Sequence, residues 1–399
     1  MSQRDSSKST TKKLKSSSRW KRVMRQIFLN ILFLVLFTVL ILTGLEIYLR
    51  RTCKITNEFT SAVGVRIFQP SALNSFENKP LSSDINGYGD PTPTIQINEL
   101  GLRGESLKAE IGKNNLLLLG DSFTFGAGVR YEETFASLLQ RKLGPDWKTQ
   151  NAGTIGTTVD NYYLNLKKYS AIFNPKIAVV NLFVGNDITE LRRHQWSLGA
   201  DGDLESVRDT DIFVDSEGRL RSWKQKEPLF YCLDWLGNRW KILKAKMGLP
   251  VVDKNTTLTW PAFMPEGHVG YDPRMPDFWI RFFKMMDSMQ QWGGTHGIKI
   301  VFAILPMDVQ VSKNYWKKYT LVPRLFDDEA FSARRPQTKI MDYCKQRHLL
   351  CLDLLPPFQQ NKNQDTLYFR NEDPHFDLNG HKATADSIYQ FLTETKLIL

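Results

Sequence analysis

Between Ile27 and Leu49 the chain reads IFLNILFLVLFTVLILTGLEIYL, 23 residues with one charge, Glu46, near the far end. At about 1.5 Å per residue such a helix spans a hydrocarbon layer of roughly 30 Å. The pattern predicts a transmembrane anchor over 27–49. A cleaved signal peptide would carry a shorter apolar stretch and a small-residue cleavage site, and TGLEIYLRRTCK offers none. Beyond residue 113 short apolar runs take over: LLLL at 116–119, KIAVVNLFV at 176–184, GIKIVFAILP at 297–306 and HLLCLDLLPP at 348–357. Runs of this length, closed by Gly or Pro, predict strands buried on both faces. WKTQ (147–150) adds a fifth strand-like stretch.

Helical spacing fills the intervals. YEETFASLLQRKLG places Tyr131, Phe135, Leu138 and Leu139 on one stripe and stops at Gly144. FWIRFFKMMDSMQQW (278–292) and PQTKIMDYCKQ (336–346) precede the last two strands. NGHKATADSIYQFLTETK closes the chain with Ala385, Ile388 and Leu392 on one face. Strands alternating with helices predict a parallel, doubly wound α/β sheet, which binds ligands at the carboxyl ends of its strands. Residues 50–113, with Pro, Asn, Gly and Ser in short runs, read as a stalk with a few short strands. The α/β domain then occupies 114–399, interrupted by an insertion at 190–277. Within the insertion DIFVDSEGRLRSW predicts a hairpin with a Gly turn. Seven of the ten Trp lie between 196 and 292. We read them as packing the insertion onto the sheet; a cap that stacks on sugars is the alternative.

Charge changes the picture in one respect. The net charge is +11. Residues 1–26 carry nine Lys/Arg and one Asp, which leaves the remainder at +3. The basic excess is therefore a tail, not a nucleic-acid face, and no nucleic-acid partner is expected. A basic flank before an apolar helix places residues 1–26 in the cytoplasm and everything after Leu49 outside it, periplasmic or extracellular. Four cysteines exclude a disulfide-built fold. An oxidising compartment permits a bond between Cys344 and Cys351; we read both instead as small buried residues at a helix-to-strand junction.

Four segments carry candidate chemistry. Gly120-Asp121-Ser122-Phe123 follows the first strand, and a Ser at a strand end before a tight turn presents its hydroxyl at the ligand edge. Asn151-Ala152-Gly153-Thr154-Ile155-Gly156 follows the strand-like WKTQ, where glycine lets backbone N–H groups approach a substrate oxygen. Gly185-Asn186-Asp187 follows the 176–184 strand, and an amide there can donate to an oxyanion. Asp373-Pro374-His375 precedes the last helix, and its carboxylate can orient the imidazole as a general base. His381 competes with His375 but sits at the start of that helix and reads as packing or capping. Arg192 and Arg193 read as a solvated charged turn, with contact to an anionic sugar as the alternative. No metal-ligand spacing and no phosphate loop is present, and none of this chemistry needs a cofactor.

Taken in order, the four segments resemble the blocks of SGNH/GDSL hydrolases over roughly 114–190 and 296–395. The upstream NELGLRG and the form LGDSFTFGAGV resemble the family's membrane-anchored bacterial branch, some relatives in which act on acyl groups of exported polysaccharides. The resemblance implies a three-layer α/β/α flavodoxin-like fold. It implies Ser122 as nucleophile, His375 as base and Asp373 as its partner, with Asp377 the nearby substitute. It also implies an oxyanion hole from the Ser122 N–H, Gly156 (or Gly153) and the Asn186 amide. Asp121 and Asp187 are expected at the substrate. The implied activity is removal of a short acyl group, most simply acetyl, from a glycan or related ester through an acyl-serine. The alternatives are O-acyl transfer with the same residues and a non-catalytic envelope scaffold. Expected partners are the bilayer, the acylated substrate and envelope polysaccharide machinery. Phe123 stands where the first block commonly has Leu, and Asp373 and His375 are separated by one residue where the best-known members have two.

Overall fold

The computed structural model describes residues 6–52, 65–85, 94–105, 114–223, 232–233, 237, 240, 261–266, 271–318, 332–369 and 374–398. The chain divides into two compact units, 1–56 with 227–240, and 57–226 with 241–399.

The first unit is dominated by helix α1 (Ser6–Thr52), 47 residues without a break. The basic tail is thus continuous with the anchor, and the whole helix is about 70 Å long. Its apolar stretch runs Trp20–Leu49, and the most apolar 18 residues of it have a mean hydropathy of 2.7 and are not buried. Among the described residues it is the one helix long and apolar enough to cross a membrane.

The second unit is built on a five-stranded parallel sheet. Before it come two hairpins, β1 (Phe68–Ser71) with β2 (Ser75–Asn78) and β3 (Ser83–Ile85) with β4 (Thr94–Gln96). The sheet strands are β5 (Asn114–Gly120), β6 (Trp147–Gly153), β7 (Ile177–Phe183), and two more strands after the insertion. The insertion supplies β8 (His194–Leu198), β9 (Leu204–Asp209), β10 (Ile212–Val214) and β11 (Leu220–Ser222), in two antiparallel pairs. The predicted Gly turn is Gly218, at φ +82. The last sheet strands are β12 (Lys299–Leu305) and β13 (Leu350–Asp353), giving the order β13-β12-β7-β5-β6.

Numbered by their own sequence, the strands run 2-1-3-4-5 from the β6 edge, the flavodoxin-like order. All five expected strands are present. β7 is buried at every position, which is why an uninterrupted apolar run marks it.

Helices cover both faces. α2 (Ser122–Phe125) is a single turn, followed by α3 (Phe135–Leu143) and α4 (Val159–Phe173). α5 (Met275–His296), α6 (Asp308–Val311), α7 (Arg335–Arg347), α8 (Leu355–Gln359) and α9 (Leu378–Glu394) complete the set. α3 packs on α9, and α4 packs on α5. Phe283 of α5 stacks on Tyr343 of α7 at 4.0 Å. The result is the three-layer α/β/α sandwich.

Two expectations change. Residues 65–85 and 94–105 are no loose stalk. Val65, Ile67, Phe76, Ile95 and Ile97 form a second buried cluster with Phe125 and Ala127 behind Ser122, Ile155 of the glycine segment, and Ile212 of the insertion. Arg103, inside the NELGLRG segment, is fully buried and donates to the carbonyls of Phe125 (2.6 Å), Gly126 and Val129 (2.6 Å). Cys344 and Cys351 are joined in a disulfide, not merely packed as small residues. His348 adopts φ +55 between them, reversing the chain so that the strand start returns beside the helix end at a Cα separation of 6.3 Å.

Of the described Trp between 196 and 292, Trp279 and Trp292 sit on α5, the first buried and the second donating to Ser170 (3.1 Å), and Trp196 donates to Asp160 (2.7 Å). In the insertion Trp223 and Trp240 are instead 64% and 54% exposed, and Trp223 stacks on Phe213 at 3.7 Å. Trp235 and Trp260 lie outside the described residues.

Arg103→Leu strands three buried carbonyls, so it is expected to lower unfolding free energy by about 3 kcal/mol. Urea titration, with an unchanged denaturant slope, checks this.

Candidate active site

Sheet order decides where the chemistry can sit. Residue pairs Gly120–Gly153 and Leu119–Val180 place the carboxyl ends of β5, β6 and β7 side by side. The connections leaving β5 and β7 diverge to opposite faces, which opens a crevice at the switch point. Ser122, Gly156 and Asn186 follow these three strands.

Ser122 opens α2. The Asp121 carboxylate caps the turn by accepting from Phe123 N–H (2.9 Å), and Gly126, at φ +82, closes it by donating to the Ser122 carbonyl (3.0 Å). The Ser122 N–H, the first of a helix, has no intrahelical acceptor.

His375 Nε2 lies 2.7 Å from Ser122 Oγ. The loop that brings it there is pinned by an antiparallel bridge between Tyr368 and Phe376, and Tyr368 donates to the Pro306 carbonyl (2.7 Å) at the end of β12. The Phe123 ring packs against the imidazole at 4.9 Å between centroids and against Phe183 at 4.0 Å. The larger residue at this position thus seats the His375 ring.

Asp373 lies outside the described residues. The substitute, Asp377, caps α9 through Oδ1, accepting from Asn379 (2.8 Å) and Gly380 (3.2 Å). His381 is buried, and its Nδ1 accepts from Phe135 N–H (3.3 Å), so it caps α3 rather than its own helix. Burial, with Arg103 and His375 nearby, pushes its pKa down to about 3, consistent with an acceptor ring.

The two candidate glycines differ in their surroundings. Gly153 N–H is taken by Asn151 Oδ1 (3.0 Å), and a Cβ there would lie 2.2 Å from Phe125 N. Gly153 therefore allows β6 to touch the back of α2. Gly156, at φ +81, has no acceptor on its N–H among the described residues. The Asn186 amide donates to Asp121 Oδ2 (3.3 Å), which leaves one amide hydrogen for a ligand.

Asp121 and Asp187, expected at the substrate, are both fully buried with internal partners. Asp187 accepts from Phe183 N–H (2.7 Å) and Tyr162 O–H (2.6 Å). They shape the site from behind. Burial raises both carboxyls, Asp121 to about 6 and Asp187 well above its ordinary value.

Arg193, read as solvated, is 2% exposed at its side chain and pairs with Glu190 and with Asp209 (3.3 Å). A buried Arg in a turn carries no local sequence signal, because one of its carboxylates lies on another strand.

No protein-family model matches the chain, and no curated protein matches it. Solved structures do. A lipase/acylhydrolase from Enterococcus faecalis shows 12% identity and a TM-score of 0.37, covering 71% of this chain and 96% of its own. A member of the lipolytic protein G-D-S-L family from Veillonella parvula shows 11% and 0.37, covering 70% and 98%. An acetyl xylan esterase shows 16% and 0.37, covering 69% and 98%. These structural neighbours are GDSL-type lipolytic hydrolases and esterases. At this TM-score the likeness adds nothing to the chemistry, which rests on the strand order and the Ser122–His375 contact.

Asp121 gives a pH prediction. Its folded pKa lies above the unfolded value, so its contribution to stability is full below about pH 4. That contribution is lost as pH rises through about 6. Asp121→Asn is expected to flatten the fall in unfolding free energy over that window, measured by urea titration at successive pH values.

Proposed function

We propose that this chain is a membrane-anchored serine ester hydrolase of SGNH type that removes a short acyl group, acetyl above all, from a glycan or related ester. The 2.7 Å contact between Ser122 Oγ and His375 Nε2 at the switch point carries this reading. His375 takes the serine proton as Oγ attacks the ester carbonyl. The negative oxygen that forms is held by the N–H groups of Ser122 and Gly156 and by the Asn186 amide. His375 then returns the proton to the leaving alcohol, and acyl-Ser122 remains. Water, activated by the same imidazole, releases the acid and restores the serine. Asp373 is assigned as the residue that orients His375.

Two features support an extracytoplasmic catalytic unit anchored by α1. The basic residues precede the apolar stretch, which favours a cytoplasmic N-terminus. The Cys344–Cys351 disulfide suits an oxidising compartment. The acetyl and glycan assignments come from the resemblance of the four segments.

Full-length protein in detergent should release acid from aryl acetate and from acetylated xylan. Ser122→Ala should lose about 10⁴-fold in kcat, and Asn186→Ala about 10²- to 10³-fold. Retained activity in Ser122→Ala would sink the serine mechanism. Adding a sugar acceptor separates transfer from hydrolysis.

A further inference from the structure

The loop that carries Gly156 is tied down along its length. Thr154 N–H donates to the Gly120 carbonyl (3.1 Å), and Thr158 Oγ1 donates to the Asp187 carbonyl (2.6 Å). Between these anchors, Arg193 Nη2 donates to the carbonyl of Gly156 itself (3.2 Å). Gly156 is left-handed and unrestrained by a side chain, so this bond holds the peptide that follows Gly156 and limits the turning about its Cα that would re-aim its N–H.

Arg193 is one member of a closed, buried ionic cage. Its guanidinium faces Glu190 and Asp209. His194, next in sequence, is buried between two carboxylates: Nδ1 is 2.9 Å from Asp160, and Nε2 is 3.4 Å from Asp209. Asp160 also accepts from Trp196. Arg281 of α5 completes the enclosure, donating to the carbonyls of Leu191 (2.8 Å) and His194 (2.8 Å). The groups facing His194 are therefore Asp160 on α4, Asp209 on β9, Arg193 and Glu190 on the turn before β8, and Arg281 on α5. Three cations (Arg193, Arg281 and protonated His194) meet three carboxylates (Glu190, Asp160 and Asp209). Both ring nitrogens of His194 face carboxylates, an arrangement that requires the imidazolium.

We propose that Arg193 is a positioning residue for the oxyanion donor Gly156, and that the charge on His194 holds Arg193 in place through their shared partner Asp209. The proposal rests on the esterase reading above. Asp209 is the hinge of the argument. With His194 charged, Asp209 sits between two cations, and Arg193 keeps its fork toward both Asp209 and Gly156. When His194 loses its proton, Asp209 retains Arg193 as its sole cationic partner in the cage. The guanidinium is drawn from the Gly156 carbonyl, the peptide after Gly156 is freed to turn, and the setting of the Gly156 N–H across the same Cα is loosened. Burial opposes the charge on His194, but the Asp160 carboxylate, with Asp209, outweighs it and raises the ring to about 9. The linked stability contribution is full below about 6.5 and is lost as pH rises through the folded value. Loss of the transition-state donor should lower kcat and leave KM nearly unchanged.

The test uses full-length protein in detergent with aryl acetate, comparing wild type, Ser122→Ala, Arg193→Lys and Asp209→Asn. A Lys ammonium lacks the planar fork. Arg193→Lys is therefore expected to lower kcat about 10- to 100-fold with KM within about twofold. Wild-type kcat should fall above about pH 9, in step with the His194 ring titration read from imidazole ¹⁵N shifts. Asp209→Asn removes the shared partner, so it should lower the ring titration and uncouple kcat from it. Wild-type kcat and ring titration that fail to coincide would overturn the proposal even if neither variant folds. A lowered melting temperature with kcat and the alkaline limb unchanged in both variants would reduce the cage to a structural role and also overturn it. Full activity in Ser122→Ala, whatever Arg193→Lys does, would instead overturn the esterase reading.

Discussion

Parallel strands cannot be joined by tight turns, so every connection must cross a face of the sheet. In the order β13-β12-β7-β5-β6 the connections from β5 and β7 leave in opposite directions. No helix can cover the gap between them, and the strand ends there stay open to a ligand. Ser122 is two residues past the end of β5, and its neighbours across the gap supply Gly156 and Asn186. His375 comes from a loop outside the sheet and must be carried in by its own bridge and by the Tyr368–Pro306 bond.

The residues around this opening are held by buried polar groups more than by apolar contact. Asn151 illustrates it: its amide donates to the Thr124 carbonyl (2.8 Å) and its oxygen accepts from Gly153. One side chain thereby joins the strand to the turn that bears the nucleophile. Arg103 does the same from the opposite side, and Asp187 from below. A buried polar group fully satisfied in one arrangement is costly in any other. The site is therefore rigid where apolar packing alone would allow slippage.

Much of this was legible in the sequence. Four strands announced themselves because burial on both faces demands continuous apolar residues. β6 was legible only in its first half: Thr149, Gln150 and Asn151 are buried polar residues paired to Gln140, Asn115 and Thr124. Helix α4 escaped the pattern because Asp160, Asn161 and Asn165 are buried alongside its apolar residues, which blurs the stripe. The serine, glycine and asparagine segments were readable as strand-end motifs. The structural duties of Arg103 and Arg193 were not, because Phe125, Val129 and Asp209 are far away in sequence. For the same reason residues 65–105 looked like a stalk: short strands with few apolar residues show their burial only when the core they complete is known.

The separation of Ser122 from His375, 253 residues, has a consequence for how the protein comes to exist. During synthesis Ser122, Gly156, Asn186 and most of the sheet are made before His375. A chain still in transit has a serine hydroxyl of ordinary reactivity. Only when the final helix docks does the imidazole reach it. Under the esterase reading, a chain released before His375 is made would hold Ser122 without its proton acceptor.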